Sequence, residues 1–134
     1  MSRGKVFALP VRVYFQDTDA GGVVYHASYV NFMERARTEW LRTHGYSNAG
    51  LMKEFGVVFV VRSLKLDYLK PALLDDLLNV TVQIKEIGRS RLNLLQSVLR
   101  GDELLTEAEV HLVCVSLQGF KPVSVPEALR GRLA

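Results

Sequence analysis

The chain has 134 residues, enough for one domain with its own hydrophobic core. It is 49% hydrophobic and 23% charged, and its net charge of +3 suits an anionic small molecule but is too small and too dispersed for a nucleic-acid footprint. A single cysteine, Cys114, excludes an internal disulfide and zinc sites of cysteine spacing, and no apolar run approaches the ~20 residues of a membrane span.

The opening, "MSRGKVFALPVRVYF", carries Arg3 and Lys5, but Pro10 and Arg12 interrupt its apolar stretch and no small-residue cleavage site follows. It reads as mature protein, with the cytoplasm as the default compartment. "VRVYF" is rich in β-branched and aromatic residues and predicts a strand over 11–15. After the stretch "DTDAGGVVYH" (17–26) comes a helical pattern over 28–45, in which Tyr29, Phe32, Met33, Ala36 and Trp40 form one apolar stripe. Ser28 is placed to cap its start and Gly45 to end it. A short second helix is expected over 48–55, capped by Ser47 and stopped by Gly56.

Beyond Gly56 the pattern becomes that of strands, over 57–69, 77–87, 91–100 and 103–117. Val80, Val82 and Ile84 alternate with Thr81, Gln83 and Lys85, and Ala108, Val110, Leu112 and Cys114 with Glu107, Glu109, His111 and Val113. Gly101-Asp102 predicts a tight hairpin, while Pro71, Asp75-Asp76 and Gly88 mark the other turns. One strand, one long helix and a four-strand meander give an α+β fold with an antiparallel sheet and the helix across one face. Nothing divides the chain, so 1–134 reads as a single domain.

The stretch "DTDAGGVVYH" can be read in several ways. Asp, Thr and Gly between two elements often form only a turn and a helix cap. "DTDAGG" begins like a calcium loop, but Gly21 and Ser28 stand where ligands are required. A D-x-D after a strand also occurs in aspartate-dependent phosphatases, which need a parallel α/β sheet. Acyl transfer uses what the stretch contains: a carboxylate as nucleophile or general base, glycines that let a backbone come close, and free N–H groups at a helix start to stabilise an oxyanion.

The pattern Thr-Asp-x-x-Gly-Val-Val-x-His-x-x-Tyr, met from Thr18 to Tyr29, closely resembles the active-site region of the 4-hydroxybenzoyl-CoA thioesterase family. Within that family it is most similar to the YbgC branch, acyl-CoA thioesterases associated with the Tol-Pal system. The similarity continues through "FVVRSLKLDYLKPALLDD" and "EAEVHLVCV". The resemblance implies a hotdog fold, a long helix wrapped by a roughly five-stranded antiparallel sheet. It also implies hydrolysis of acyl-CoA, with coenzyme A as part of the substrate and no separate cofactor or metal. It makes Asp19 the catalytic carboxylate, backbone N–H groups near His26 the oxyanion hole, and the His26 side chain an aid to polarising the carbonyl or orienting water. Gly22, Val23 and Tyr25 become substrate-binding residues of the loop, and Asp17 its internal brace. Homodimers pairing edge to edge and assembling into tetramers, with sites at subunit interfaces, are implied as well, as is a compartment at most peripheral to the inner membrane.

In the family a basic cluster at the turn into the third strand of the meander meets the nucleotide phosphates. Here "IGRSRL" offers Arg89 and Arg91, and a solvated turn accounts for them equally well. Arg62, Lys65 and Lys70 are explained by an exposed face. The stripe Phe32, Met33, Trp40 reads as core, as does Cys114, and His44 and His111 carry no signal. A non-catalytic hotdog that holds acyl carrier protein or an envelope partner is the rival from another class.

Overall fold

Alternating apolar residues build one five-stranded antiparallel sheet, in the order β1-β3-β4-β5-β2, in the computed structural model, which describes residues 5–134. The strands are β1 (Phe7–Arg12), β2 (Val57–Tyr68), β3 (Leu77–Ile87), β4 (Arg91–Arg100) and β5 (Glu103–Ser116). The helices are α1 (His26–Thr43), α2 (Asn48–Phe55) and α3 (Glu127–Leu133). Arg3 and the rest of residues 1–4 lie outside the described residues.

The predicted stripe of α1 is its buried face: Tyr29, Phe32, Met33, Ala36 and Trp40 are each at most 5% exposed. They close over one side of the sheet, where Val80, Val82, Leu92, Leu94, Val110, Leu112 and Cys114 point inward. Each large side chain so buried contributes about 1.5–3 kcal/mol, which is what holds the helix to the sheet. Polar groups are buried as well, and Gln96 bridges helix and sheet. Gln96 of β4 donates from Nε2 to Met33 O (3.1 Å) and Thr81 O (3.2 Å), and its Oε1 accepts from Arg37 Nη1 (2.9 Å), so a helix carbonyl is bonded directly to the sheet. This is the α+β hotdog arrangement that the resemblance implied.

Two local expectations are corrected, and one helix is added. The first strand runs over Phe7–Arg12, and Phe15–Asp17 is a 3-10 turn. Pro10 does not end this strand, because β1 is an edge of the sheet and an edge strand can spare an N–H. Helix α1 begins at His26 with Tyr25 at the cap position, so Ser28 is inside the first turn; its hydroxyl donates to Asp17 O (3.2 Å) instead of capping. Helix α3 was not anticipated; Leu129 and Leu133 anchor it, and Arg130 donates to the carbonyls of Gly88 (2.8 Å) and Arg89 (3.0 Å). The other caps and turns stand as read: Ser47 Oγ accepts from Gly50 N (2.9 Å), Gly56 (φ 65°) ends α2, and Gly101 (φ 60°) turns β4 into β5.

Edge strand β2 pairs with β5 alone, with a register shift between Val61 and Ser63. Its outer residues, among them Val60, Val61 and Leu64, are exposed. Among the described residues no helix is long and apolar enough to cross a membrane.

Candidate active site

Strand β1 brings the chain to Val13, which is fully buried and bonded on both sides to the 69–76 loop, N to Asp76 O (2.9 Å) and O from Asp75 N (3.1 Å). The turn that follows is held from inside by Asp17, 8% exposed. Its Oδ2 accepts from Tyr14 N (2.8 Å), and its carbonyl accepts from Tyr25 N (2.9 Å) and the Ser28 hydroxyl. Asp17 is thus a structural brace that fixes where α1 starts.

Asp19, two residues on, is exposed and heads a small closed loop. Its N donates to Val23 O (3.0 Å), its O accepts from Gly22 N (3.1 Å), and its Oδ1 accepts from Gly21 N (2.8 Å). Oδ2 has no partner among the described residues, so the carboxylate is oriented by one oxygen and presents the other. The loop closes because Gly22 takes φ 79°, a left-handed conformation that costs other residues about 1–2 kcal/mol.

A second loop backs the first. Val24 N donates to Ala72 O (2.9 Å) and Leu74 N to Gly22 O (3.1 Å). Ala72 N in turn donates to the buried Tyr29 hydroxyl (2.9 Å), which ties this loop to α1. A chain of ion pairs closes its far side: Lys70 to Glu103 (2.9 Å), Glu103 to Arg100 (2.7 Å) and Arg100 to Asp76 (2.6 Å). The two cations hold the Glu103 carboxyl below the usual carboxylate range.

Tyr25 N is already taken by Asp17, and Ser28 N donates to Tyr25 O (2.9 Å). The N–H groups of His26 and Ala27 have no acceptor within the described residues, and they carry the positive end of the helix dipole. They open beside a cleft of roughly 470 Å³ lined by Asp19, Val23, Val24, Tyr25, His26, Tyr29, Tyr68, Leu69, Lys70 and Pro71. Asp19 also walls a second hollow of roughly 550 Å³ with Phe15, Thr18, Ala20, Gly21, Gly22 and Leu74.

The fold therefore brings Asp19, Gly22, Val23, Tyr25 and His26 together. It does not bring Arg89 and Arg91 to them within one chain. Arg91 pairs in register with Val113 near the start of β2, whereas the cleft lies at the end of β2, where Tyr68 pairs with Thr106. Seven residues of β5, roughly 23 Å, separate Val113 from Thr106. Arg89 Nε donates to Ser124 Oγ (3.0 Å), and the Arg91 guanidinium lies 3.9 Å from the Glu86 carboxylate. The cation that lines the cleft is Lys70, and the aromatic opposite His26 is Tyr68; the loop motif includes neither. The sheet is antiparallel throughout, so the parallel frame of an aspartate-dependent phosphatase is missing among the described residues.

Comparison with known proteins identifies the family and the fold. The family model of the thioesterase-like superfamily matches residues 13–133. Acyl-CoA thioesterase YbgC of Haemophilus influenzae is 45% identical, over 92% of this chain and 91% of that protein. Acyl-CoA thioester hydrolase YbgC of Escherichia coli O157:H7 is 49% identical, over 92% of each. The crystal structure of a probable thioesterase from Bartonella henselae superposes with a TM-score of 0.87 at 35% identity, over 91% of this chain and all (100%) of that one. With its oriented loop carboxylate, unpaired helix-start amides and hotdog sheet, the chain belongs to the thioesterase-like superfamily.

Proposed function

We propose that the chain hydrolyses acyl-CoA thioesters to free acid and coenzyme A. One observation carries the reading: a carboxylate with one anchored and one unpaired oxygen shares a cleft with His26, the first residue of a helix whose first two amides have no acceptor among the described residues. The His26 and Ala27 N–H groups accept the charge that develops on the carbonyl oxygen, each such donor being worth about 3 kcal/mol of barrier. Asp19 acts by one of two routes. As nucleophile, its oxygen bonds to the carbonyl carbon, the carbon–sulfur bond breaks, CoA leaves and takes up a proton, and water opens the mixed anhydride. As general base, it removes a proton from water as the water oxygen attacks the same carbon, and that proton goes on to the leaving sulfur. The His26 imidazole orients the water or the carbonyl, and Gly22, Val23 and Tyr25 shape the approach. No cofactor enters, because coenzyme A belongs to the substrate.

Arg89 and Arg91 are proposed as phosphate contacts supplied by a second protomer. Antiparallel pairing of two β2 edges sets the start of one strand beside the end of the other, which is the juxtaposition a site at a subunit interface needs. We propose such a homodimer, assembling further to a tetramer, in the cytoplasm and at most peripheral to the inner membrane. Acyl carrier protein is the alternative carrier of the acyl group.

The test is a panel of acyl-CoA chain lengths with a thiol reagent, comparing the native protein with Asp19→Asn. Cys114 is buried and desolvation pushes its thiol up, so the reagent reads released CoA and not the protein. The expected result is turnover that falls at least about 100-fold in Asp19→Asn while the variant stays folded. Near-native turnover by Asp19→Asn would assign the chemistry to another residue. A protein that binds acyl carriers with no turnover at any chain length would favour the non-catalytic reading.

A further inference from the structure

We propose that Tyr68 is a positioning residue for the donors that open α1, holding the first peptide group of the helix through its hydroxyl and the His26 ring through its own. The inference rests on the thioesterase reading, which gives the helix start its task. Tyr68 ends β2 and returns to the site from 42 residues further along the chain, where its Oη donates to His26 O (3.1 Å). That carbonyl and the Ala27 N–H belong to one planar peptide group, so fixing the oxygen fixes the direction of the N–H. An amide that accepts at oxygen also becomes a better donor at nitrogen, so the hydroxyl both aims and strengthens the Ala27 N–H.

The tyrosine ring is held in turn. It meets His26 at 5.0 Å and Tyr29 at 5.3 Å, both edge to face, and Tyr29 is fixed by its own bond to Ala72. Tyr68 remains 44% exposed; partial desolvation first, and Tyr29 second, raise its phenol, which at neutral pH is a donor in any case. A side chain that serves only to pack the cleft wall would not need its hydroxyl.

Tyr68→Phe in the full-length protein removes that hydroxyl and keeps the ring. Loss of one such bond is expected to lower kcat about 3- to 10-fold with KM within about 2-fold and an unchanged melting temperature. The Ala27 amide nitrogen should shift upfield, while amides in the middle of α1 stay where they are. Tyr68→Ala, which also frees the His26 ring, should lose more. A Tyr68→Phe protein with native kcat, or one with an unmoved Ala27 resonance, overturns the inference. Asp19→Asn measured alongside separates the two readings: if it is inactive while Tyr68→Phe is native, only the role of Tyr68 fails. Should no thioester turn over at all, the Ala27 resonance still decides for or against Tyr68.

Discussion

Tyr29→Phe tests how the backing loop is held. Tyr29 is 2% exposed and Ala72 0%, and their bond of 2.9 Å is the attachment of the buried Ala72 N–H. Phenylalanine fills the same space and keeps the edge contact with Phe32, so packing loss is small. What remains is a buried amide without its acceptor, a desolvation penalty of about 1–3 kcal/mol. For a domain of this size, about 2 kcal/mol lowers the melting temperature by about 6–10 °C. Calorimetry or thermal circular dichroism reads the shift, and a urea titration should show a lower midpoint at an unchanged slope. Native hydrogen exchange should single out Ala72 and Val24, since the carbonyl of Ala72 holds Val24 N. A melting temperature within about 1 °C of native would mean that the loop finds another acceptor, and that Tyr29 is not what anchors it.

Gly22→Ala should cost about 1–2 kcal/mol and most of the activity, because φ is 79° there while the space for a Cβ is empty; the penalty is purely one of backbone conformation. Gly21→Ala has an ordinary φ and meets only Asp19 Oδ1 at 3.4 Å, so it should stay within about 0.5 kcal/mol in a urea titration. Thr106→Val should be neutral or raise stability by about 1 kcal/mol, since the Thr106 hydroxyl is wholly buried without a partner and the isostere removes that burden. A loss above about 1 kcal/mol in the same titration would reveal a bond the hydroxyl makes.

The fold was legible where periodicity is long. The stripe of α1 and the alternation of β3 and β5 each span several turns or pleats and match the buried set, except that Ile84 is only partly buried and Val113, read with the outer residues, is buried. Ser47, Gly56 and Gly101 were readable because their positions demand a cap or a positive φ. The misreadings share a cause, which is that tertiary context decided. "VRVYF" has strand composition, but from Tyr14 the chain is bent by the carboxylate of Asp17, and Pro10 is tolerated in β1 because that strand is an edge. Helix α3 offers one apolar pair, Leu129 and Leu133, too short a pattern to distinguish from loop. In the site, the contiguous motif was readable and the distant contributors were not. Tyr68 and Lys70 reach the cleft only because β2 runs back to the start of α1, a path that no local spacing encodes.

The long outer rim of β2 has a consequence for how the chain survives its own synthesis. A row of unsatisfied strand groups is a template on which stray chains can stack into cross-β aggregates. Until the proposed second β2 covers it, the strand carries its own guards: the register shift after Val61 interrupts the row at mid-length, and Arg62 and Lys65 add charge to it. The segment that delivers Tyr68 to the cleft is therefore also the one most exposed to misassociation, and its irregular middle protects the protein without disturbing the end that reaches the cleft.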